Sequence, residues 1–400
     1  MNDLLARMPL RIAMVLDAWD DSRAGAVVST RRFAGLLRER GHSVTIVAAG
    51  RPEPGKVGLR EIYIPLANDV MRRMRVPFAW PNRRILEEVL SRQDLVHVHF
   101  PFYLGIRAIT LARKAGIPVV STFHVQAEHL LHNVGIRSQV VVDCVYRFFL
   151  RTVYNRSDQV ICPSAFAEQE LRRYGLTSPA TVVSNGVPPP YHPMPREQCP
   201  AFGDRFVVLS VGRLAPEKRH DLLVEAVRRS RHQARIQLVL IGDGPQRERL
   251  EELGKTLAHS PVFHYLTPEE LVPWYNAADL YVHAAEVEVE CMTVLEAMAC
   301  GTPCLIARSP KSATQQFALS DAFLYQPESG DDLVRKLDHW IEHPRELQEA
   351  REAHRLASDR YRIDLSLEKL EAVYVRAVNR GGAAAPAAPG ASARARPAGR

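Results

Sequence analysis

The sequence predicts an α/β protein built from two doubly wound, Rossmann-like units in series. Three observations point there. Short continuous apolar runs recur along the 400 residues with amphipathic helical stretches between them, as expected for parallel strands covered on both faces. The pattern occurs twice. Between the two sets lies "GVPPPYHPMPREQCP" (186–200), whose six prolines exclude helix and central strand and mark a linker. The length agrees, because 400 residues exceed what one core usually organises.

The elements follow in order. In the first half the apolar runs are "RIAMVLDA", "SVTIVAAG", "LVHVHF", "PVVSTFH", "QVICPS" and "TVVSNG". A helix is expected over "VSTRRFAGLLRERG", closed by Gly41. The second half supplies "FVVLSVG", "IQLVLIGDG", "DLYVHAA" and "PCLIA". "LSLEKLEAVYVRAV" reads as a last amphipathic helix, and "GGAAAPAAPGASARARPAGR" (381–400) as a disordered low-complexity tail. The resulting divisions are a first domain over 9–190, a second over 201–355, and a C-terminal helix over 356–380 that can cross back to the first domain.

Composition narrows the function. No apolar stretch approaches the ~20 residues that span a bilayer. The N-terminus lacks the features of a secretory signal. Six scattered cysteines without a C-x-x-C pair fit reduced thiols in the cytoplasm. Charge is uneven. Residues 1–195 carry 25 Lys+Arg against 16 Asp+Glu, while residues 196–380 carry 24 against 29. A basic first half suggests an anionic partner for that half.

Three stretches carry candidate chemistry. "SVGRLAPEKRHDLLVEAV" places Gly212, Arg213 and Lys218 between a strand and a helix, where backbone N–H groups and two cations can hold a diphosphate; a solvated turn explains the local pattern equally well. "VLIGDGPQRERL" puts Gly242 and Gly244 at another strand's carboxyl end, a weak signal by itself. The third stretch is "AEVEVECMTVLEAMACGTPC" (285–304). Extending the strand "DLYVHAA" would line Glu286, Glu288 and Glu290 along one buried face, so the chain must turn near Ala285. Thr293 and Glu296 have capping-box spacing, which competes with a ligand-binding role for Glu296. His97 and His99 alternate on a strand and do not form a metal site.

These motifs together resemble glycosyltransferase family 4. Glu288 and Glu296 stand as its E-x(7)-E signature before "AMACGTP", and "GRLAPEKRHDLLVEA", "GDGP", "WYNAADLYVHAA" and "SNGV" fall in the family's order. The resemblance implies a GT-B fold, two Rossmann-like domains facing a cleft, and retaining transfer from a nucleotide sugar. It implies Arg213 and Lys218 on the donor diphosphate, Glu296 on the ribose, Glu288 against the sugar, and His124 in "STFHVQ" near the sugar from the first domain. Gly25 in "DSRAGAVVS" and Gly242 complete the implied donor site. No cofactor or divalent metal is implied, and the chain has no D-x-D motif. "STFHVQAEH" and "YNRSDQVICPS" are also similar to the diacylglycerol glucosyltransferase branch. The chain departs from the family at "VEVEC", where E-G-F-G is usual, at His264, where glycine is common near the base, and in the first-domain loop, which keeps one glycine.

For the acceptor, residues 71–84, "MRRMRVPFAWPNRR", hold five arginines and no acid, interleaved with Met74, Val76, Phe78 and Trp80. That composition suits peripheral contact with an anionic membrane at its inner face; a solvated loop is the alternative. "HVQAEHLLHNVGIRSQVVVDCVYRFFLRTVYNRSD" can line an acceptor groove or simply pack. Nucleic acid is not an expected partner, because no recognition module accompanies the basic segment. The expectation is therefore a nucleotide-sugar donor, UDP-linked, and a lipid or membrane-associated acceptor. The alternatives are extension of a polysaccharide or soluble glycoconjugate, a sugar-nucleotide epimerase, and a non-catalytic nucleotide-sugar-binding protein.

Overall fold

The computed structural model describes residues 8–20, 24–62, 77–133, 135–195, 198–327 and 329–383. The first sheet is wholly parallel: β1 (Arg11–Val15), β2 (Ser43–Ala49), β3 (Lys56–Leu59), β4 (Leu95–Val98), β5 (Val119–Thr122), β6 (Gln159–Cys162) and β7 (Ala180–Val182), in the order β3-β2-β1-β4-β5-β6-β7. Register is set by runs apolar on both faces; Val15 pairs with Val47 on one side and with Val98 on the other. The second sheet is parallel too, with β8 (Phe206–Val211), β9 (Ile236–Ile241), β10 (Val262–His264), β11 (Leu280–His283), β12 (Cys304–Ala307) and β13 (Leu324–Tyr325) ordered β10-β9-β8-β11-β12-β13.

Each sheet reverses its winding once, between β1 and β4 and between β8 and β11. Crossover connections leave opposite faces there, so a crevice opens at the strands' carboxyl ends. Gly25, His99, Lys218 and Glu288 all lie in segments leaving these four strands.

Helices cover both faces of the first sheet. Helices Arg83–Leu90, Tyr103–Lys114, Gln139–Thr152 and Ala165–Arg173 share one apolar cluster with Ala13, Val15, Val96 and Val160. The other face is covered by helix Gly25–Glu39, ending before Gly41 at φ 92°, and by the last helix, Ile363–Ala383. Leu367, Leu370, Val373 and Tyr374 of that helix pack with Ile12, Met14, Val120 and Ile161, so the chain returns to the first sheet after building the second. The return is anchored at the linker, where Val187 N–H donates to the Tyr361 carbonyl at 2.8 Å and Ile363 N–H donates to the Val187 carbonyl at 3.0 Å. The tail expectation over 381–400 falls mostly outside the described residues; the helix itself runs to Ala383.

The apparent capping box at Thr293 and Glu296 does not form. Helix Met292–Ala299 starts two residues earlier than that box requires, with Cys291 as N-cap and no side-chain cap. Thr293 instead accepts the Tyr281 hydroxyl at 2.8 Å, and Glu296 is drawn into tertiary contacts. A box with both reciprocal bonds does form at Thr267 and Glu270, opening helix Pro268–Ala277.

Candidate active site at the domain cleft

The first group forms around Lys218. The chain leaves β8 through Gly212 and Arg213, makes the short turn Pro216–Lys218, and enters helix His220–Arg229 through Arg219. Arg219 has φ 52°, the only positive φ at a non-glycine among the described residues, and this kink separates the Lys218 turn from the helix. Lys218 Nζ is ion-paired with Glu288, both side chains being largely buried. Burial works against the Lys218 charge, but Glu288, joined by Cys291 and Glu217, raises the ammonium pKa overall. At Glu288 burial is likewise opposed, chiefly by Lys218 and then by His283, and its pKa is lowered.

Glycine contributes here by its missing side chain. A Cβ on Gly242 would stand 1.8 Å from the Gly212 carbonyl oxygen, and one on Gly244 would stand 2.4 Å from that of Leu214. The Gly-x-Gly turn after β9 thus lets the loop bearing Arg213 lie directly against it, while Leu214 N–H donates to the Asp243 carbonyl at 3.0 Å.

The loop bearing Glu288 differs from the sequence expectation in burial. The strand does end at His283, as the turn near Ala285 requires, yet Glu288 and Glu290 are taken inside because each finds a partner. Glu288 lies in a parallel bridge with Ser312, and its carbonyl accepts Ala313 N–H at 2.8 Å. Ser309 Oγ donates to the Glu286 carbonyl at 2.6 Å. Glu286 itself pairs with Arg219. Where glycines are usual in the family, Val289 packs into the first domain's apolar cluster, and its carbonyl accepts Ser164 Oγ at 2.5 Å.

Glu290, without a role in the sequence reading, joins the domains. It accepts from Asn185 N–H at 2.8 Å and from Asn185 Nδ2 at 2.6 Å, and Asn185 Oδ1 accepts Ser29 Oγ at 2.6 Å. Burial pushes the Glu290 carboxyl up to about 7, against hydrogen bonds from Ser184 and Asn185. A raised carboxyl pKa gives stability that is full below the ordinary carboxylate range and is lost as pH rises through 7. Glu290→Gln keeps an acceptor but does not titrate. Its unfolding free energy relative to the wild type should therefore increase from pH 5 to pH 8, by about 2 kcal/mol, in denaturant titrations at the two pH values.

Other side chains reach across the cleft. Arg32, from helix Gly25–Glu39, donates to Glu296 Oε1 at 2.8 Å, and Tyr275 OH donates to Oε2 at 3.1 Å. Burial is the larger influence at Glu296 and raises its pKa even beside the guanidinium. Gln126 donates to the Lys311 carbonyl at 3.0 Å, next to the bridge that holds Glu288. His129 approaches Glu217 at 3.8 Å, and burial together with the charge of Lys218 lowers its pKa. Gly25 faces helix Met292–Ala299 closely enough that a Cβ would lie 3.6 Å from Met292 Cε. His124, at the end of β5, stacks on His99 with ring centroids 5.5 Å apart.

The structure thus pairs Lys218 with Glu288, seats Arg213 in the same segment as Lys218, sets Gly25 against the helix bearing Glu296, and places His124 in the loop that reaches the Glu288 bridge. Sequence reasoning missed Arg32, Glu290, His129 and His283. Each acts on a partner more than 60 residues away or across a loop, and only Glu290's departure from the E-G-F-G pattern gave a signal.

His283, Glu288 and Cys291 have ligand atoms within 4.8 Å of one another. The ring presents Nδ1 to Cys291 at 3.5 Å and Nε2 to Glu288 at 3.7 Å, while Lys218 covers the carboxylate. The two prospective partners thus approach different ring nitrogens beside a fixed cation, an arrangement that suits an ion-paired network better than a cation cradle.

Two family profiles match this chain, Glycosyltransferase Family 4 over residues 23–190 and Glycosyl transferases group 1 over residues 195–357. The chain belongs to glycosyltransferase family 4. Among relatives, the alpha-monoglucosyldiacylglycerol synthase of Streptococcus pneumoniae is 26% identical over 325 residues, covering 75% of this chain and 72% of the relative. A GDP-mannose-dependent alpha-mannosyltransferase of Corynebacterium glutamicum is 27% identical over 315 residues, covering 75% and 73%. The fold is that of the Anabaena protein HepE, solved with UDP and glucose: TM-score 0.70 at 17% identity, covering 90% of this chain and 98% of that one. The family 4 chain therefore has the GT-B architecture, and the cleft between its two sheets is the candidate active site.

Proposed function

We propose that this family 4 glycosyltransferase moves a hexosyl group from a UDP-sugar to a lipid acceptor, with retention of anomeric configuration and without a divalent metal. The pairing of Lys218 with Glu288 at the second sheet's switch point carries the reading. It stores a buried cation where a leaving diphosphate would lie, and donor binding would exchange the carboxylate for phosphate oxygens. Arg213 adds charge from the same loop, Glu296 holds the ribose, and Glu288 and His124 meet the sugar. Closure of the cleft excludes water from the activated donor.

The lipid acceptor is supported by the relative named as a diacylglycerol-lipid synthase and by the first domain's surface. Residues 71–76 of the basic segment lie outside the described residues. Beyond them Trp80 is 54% exposed, edge-on to the half-exposed Tyr103. On the same face of the sheet, helix Gln139–Thr152 exposes Val140 and Phe148 beside Arg147 and Arg151. Apolar tips flanked by arginines suit an anionic headgroup layer. No helix among the described residues is long and apolar enough to cross a membrane.

The structural neighbour solved with UDP and glucose favours UDP; the relative named for GDP-mannose supports GDP as a second reading. Incubation with UDP-hexoses or GDP-mannose and diacylglycerol vesicles, with and without anionic lipid, separates these. Glycolipid from a UDP-sugar, increased by anionic vesicles, is expected. Product from GDP-mannose alone transfers the reading to GDP, and glycosylation of soluble acceptors only would overturn the lipid acceptor.

A further inference from the structure

The first domain buries a row of imidazoles behind His124. His97 is fully enclosed, with Nδ1 2.8 Å from Tyr374 OH and Nε2 2.7 Å from Thr122 Oγ1. His99 lies between His97 and His124, tilted against the first ring and stacked on the second. Its Nδ1 meets two groups, Thr30 Oγ1 at 3.2 Å and His124 Nε2 at 3.3 Å. Its Nε2 is buried and has no partner among the described residues.

The protons in this row follow by elimination. Thr30 Oγ1 lies 2.7 Å from the Ala26 carbonyl, which can only accept, so the single hydroxyl proton points to Ala26. Thr30 Oγ1 then has only lone pairs to offer His99, and the contact is favourable only with a proton on His99 Nδ1. The orphaned Nε2 agrees, because a buried lone pair without a partner is more tolerable than a buried N–H without one. With Nδ1–H on His99, His124 Nε2 must bring a lone pair, or two N–H groups would collide. Burial keeps the rings neutral, lowering His124 to about 4 and His99 well below the usual imidazole range. A neutral His124 whose Nε2 accepts carries its proton on Nδ1.

We infer that Thr30 and His99 are positioning residues that fix the His124 tautomer, so that His124 meets the donor sugar with Nδ1–H as a hydrogen-bond donor and does not serve as a base. No described residue bonds Nδ1, and the ring is partly exposed. The substrate side of this inference rests on the proposed function; the tautomer does not. A donor N–H suits a sugar hydroxyl or ring oxygen, whereas a base at this place would favour hydrolysis of the donor.

The test is selective ¹⁵N-histidine labelling of the full chain, with long-range ¹H–¹⁵N spectra that distinguish the two neutral tautomers, followed by kinetics. Wild-type His124 is expected as Nδ1–H at pH 7, and finding Nε2–H would overturn the inference without any variant. Thr30→Val should mix the His124 tautomers and lower kcat about tenfold, with donor KM within about twofold, while Thr30→Ser should restore both. Thr30→Val with wild-type tautomer and kcat would refute the relay. Should Thr30→Val not fold, His99→Asn, which keeps a donor at the Nδ1 place, should retain the His124 signal, and His99→Leu should lose it. A correct tautomer in a protein that transfers no sugar would fault the function and leave the relay standing.

Discussion

Replacing Lys218 by alanine is expected to lower kcat for sugar transfer by about 10²–10³-fold while the protein remains folded. The side chain is a buried cation paired with Glu288, a carboxylate that binding of a diphosphate would displace. Removing it takes away charge that develops its full value only as the sugar–phosphate bond breaks, so the loss falls on kcat more than on donor KM. Glu288 is then stranded, and its pKa should rise because burial is no longer opposed by the nearest positive charge. Steady-state kinetics with a thermal melt check both parts. Unchanged turnover with any accepted donor removes Lys218 from the diphosphate site.

Glu296→Gln is expected to raise donor KM by about 10–100-fold and to cost about 1–3 kcal/mol of stability. The two losses have different origins. The first reflects weaker acceptance of ribose hydroxyls by an amide than by a carboxylate. The second arises because Arg32, a buried guanidinium from the other domain, loses its counter-charge. A double-mutant cycle with Arg32→Met separates them: stability should recover in the double variant, and donor affinity should not. Recovery of both would make Glu296 only the anchor of an interdomain ion pair.

The strands at the sheet centres were legible because runs such as "IQLVLIGDG" are apolar on both faces, a pattern that local composition dictates. β3, β10 and β13 were not read, being edge or short segments of four, three and two residues without such a run. Spacing picked out Glu288 and Glu296, but it misassigned the local competitor of Glu296. A T-x-x-E box is a four-residue signal, and it lost to Arg32 and Tyr275, which approach from 264 and 21 residues away. Glu290 shows the same limit. Alternating glutamates look like a solvated loop until Asn185, in the linker strand end, supplies two donors that make burial tolerable. The His99–Thr30 contact spans 69 residues and depends on which hydroxyl proton is already used, and no sequence window contains that.

The most direct measurement of the central claim is the anomeric configuration of the product formed by the purified protein from an α-linked UDP-sugar and diacylglycerol in anionic vesicles, read by NMR on the isolated glycolipid. An α-glycolipid, formed about 10²–10³-fold more slowly when Lys218 is alanine, is the predicted result. A β-glycolipid, or release of free sugar with no glycolipid from any nucleotide donor, would contradict it.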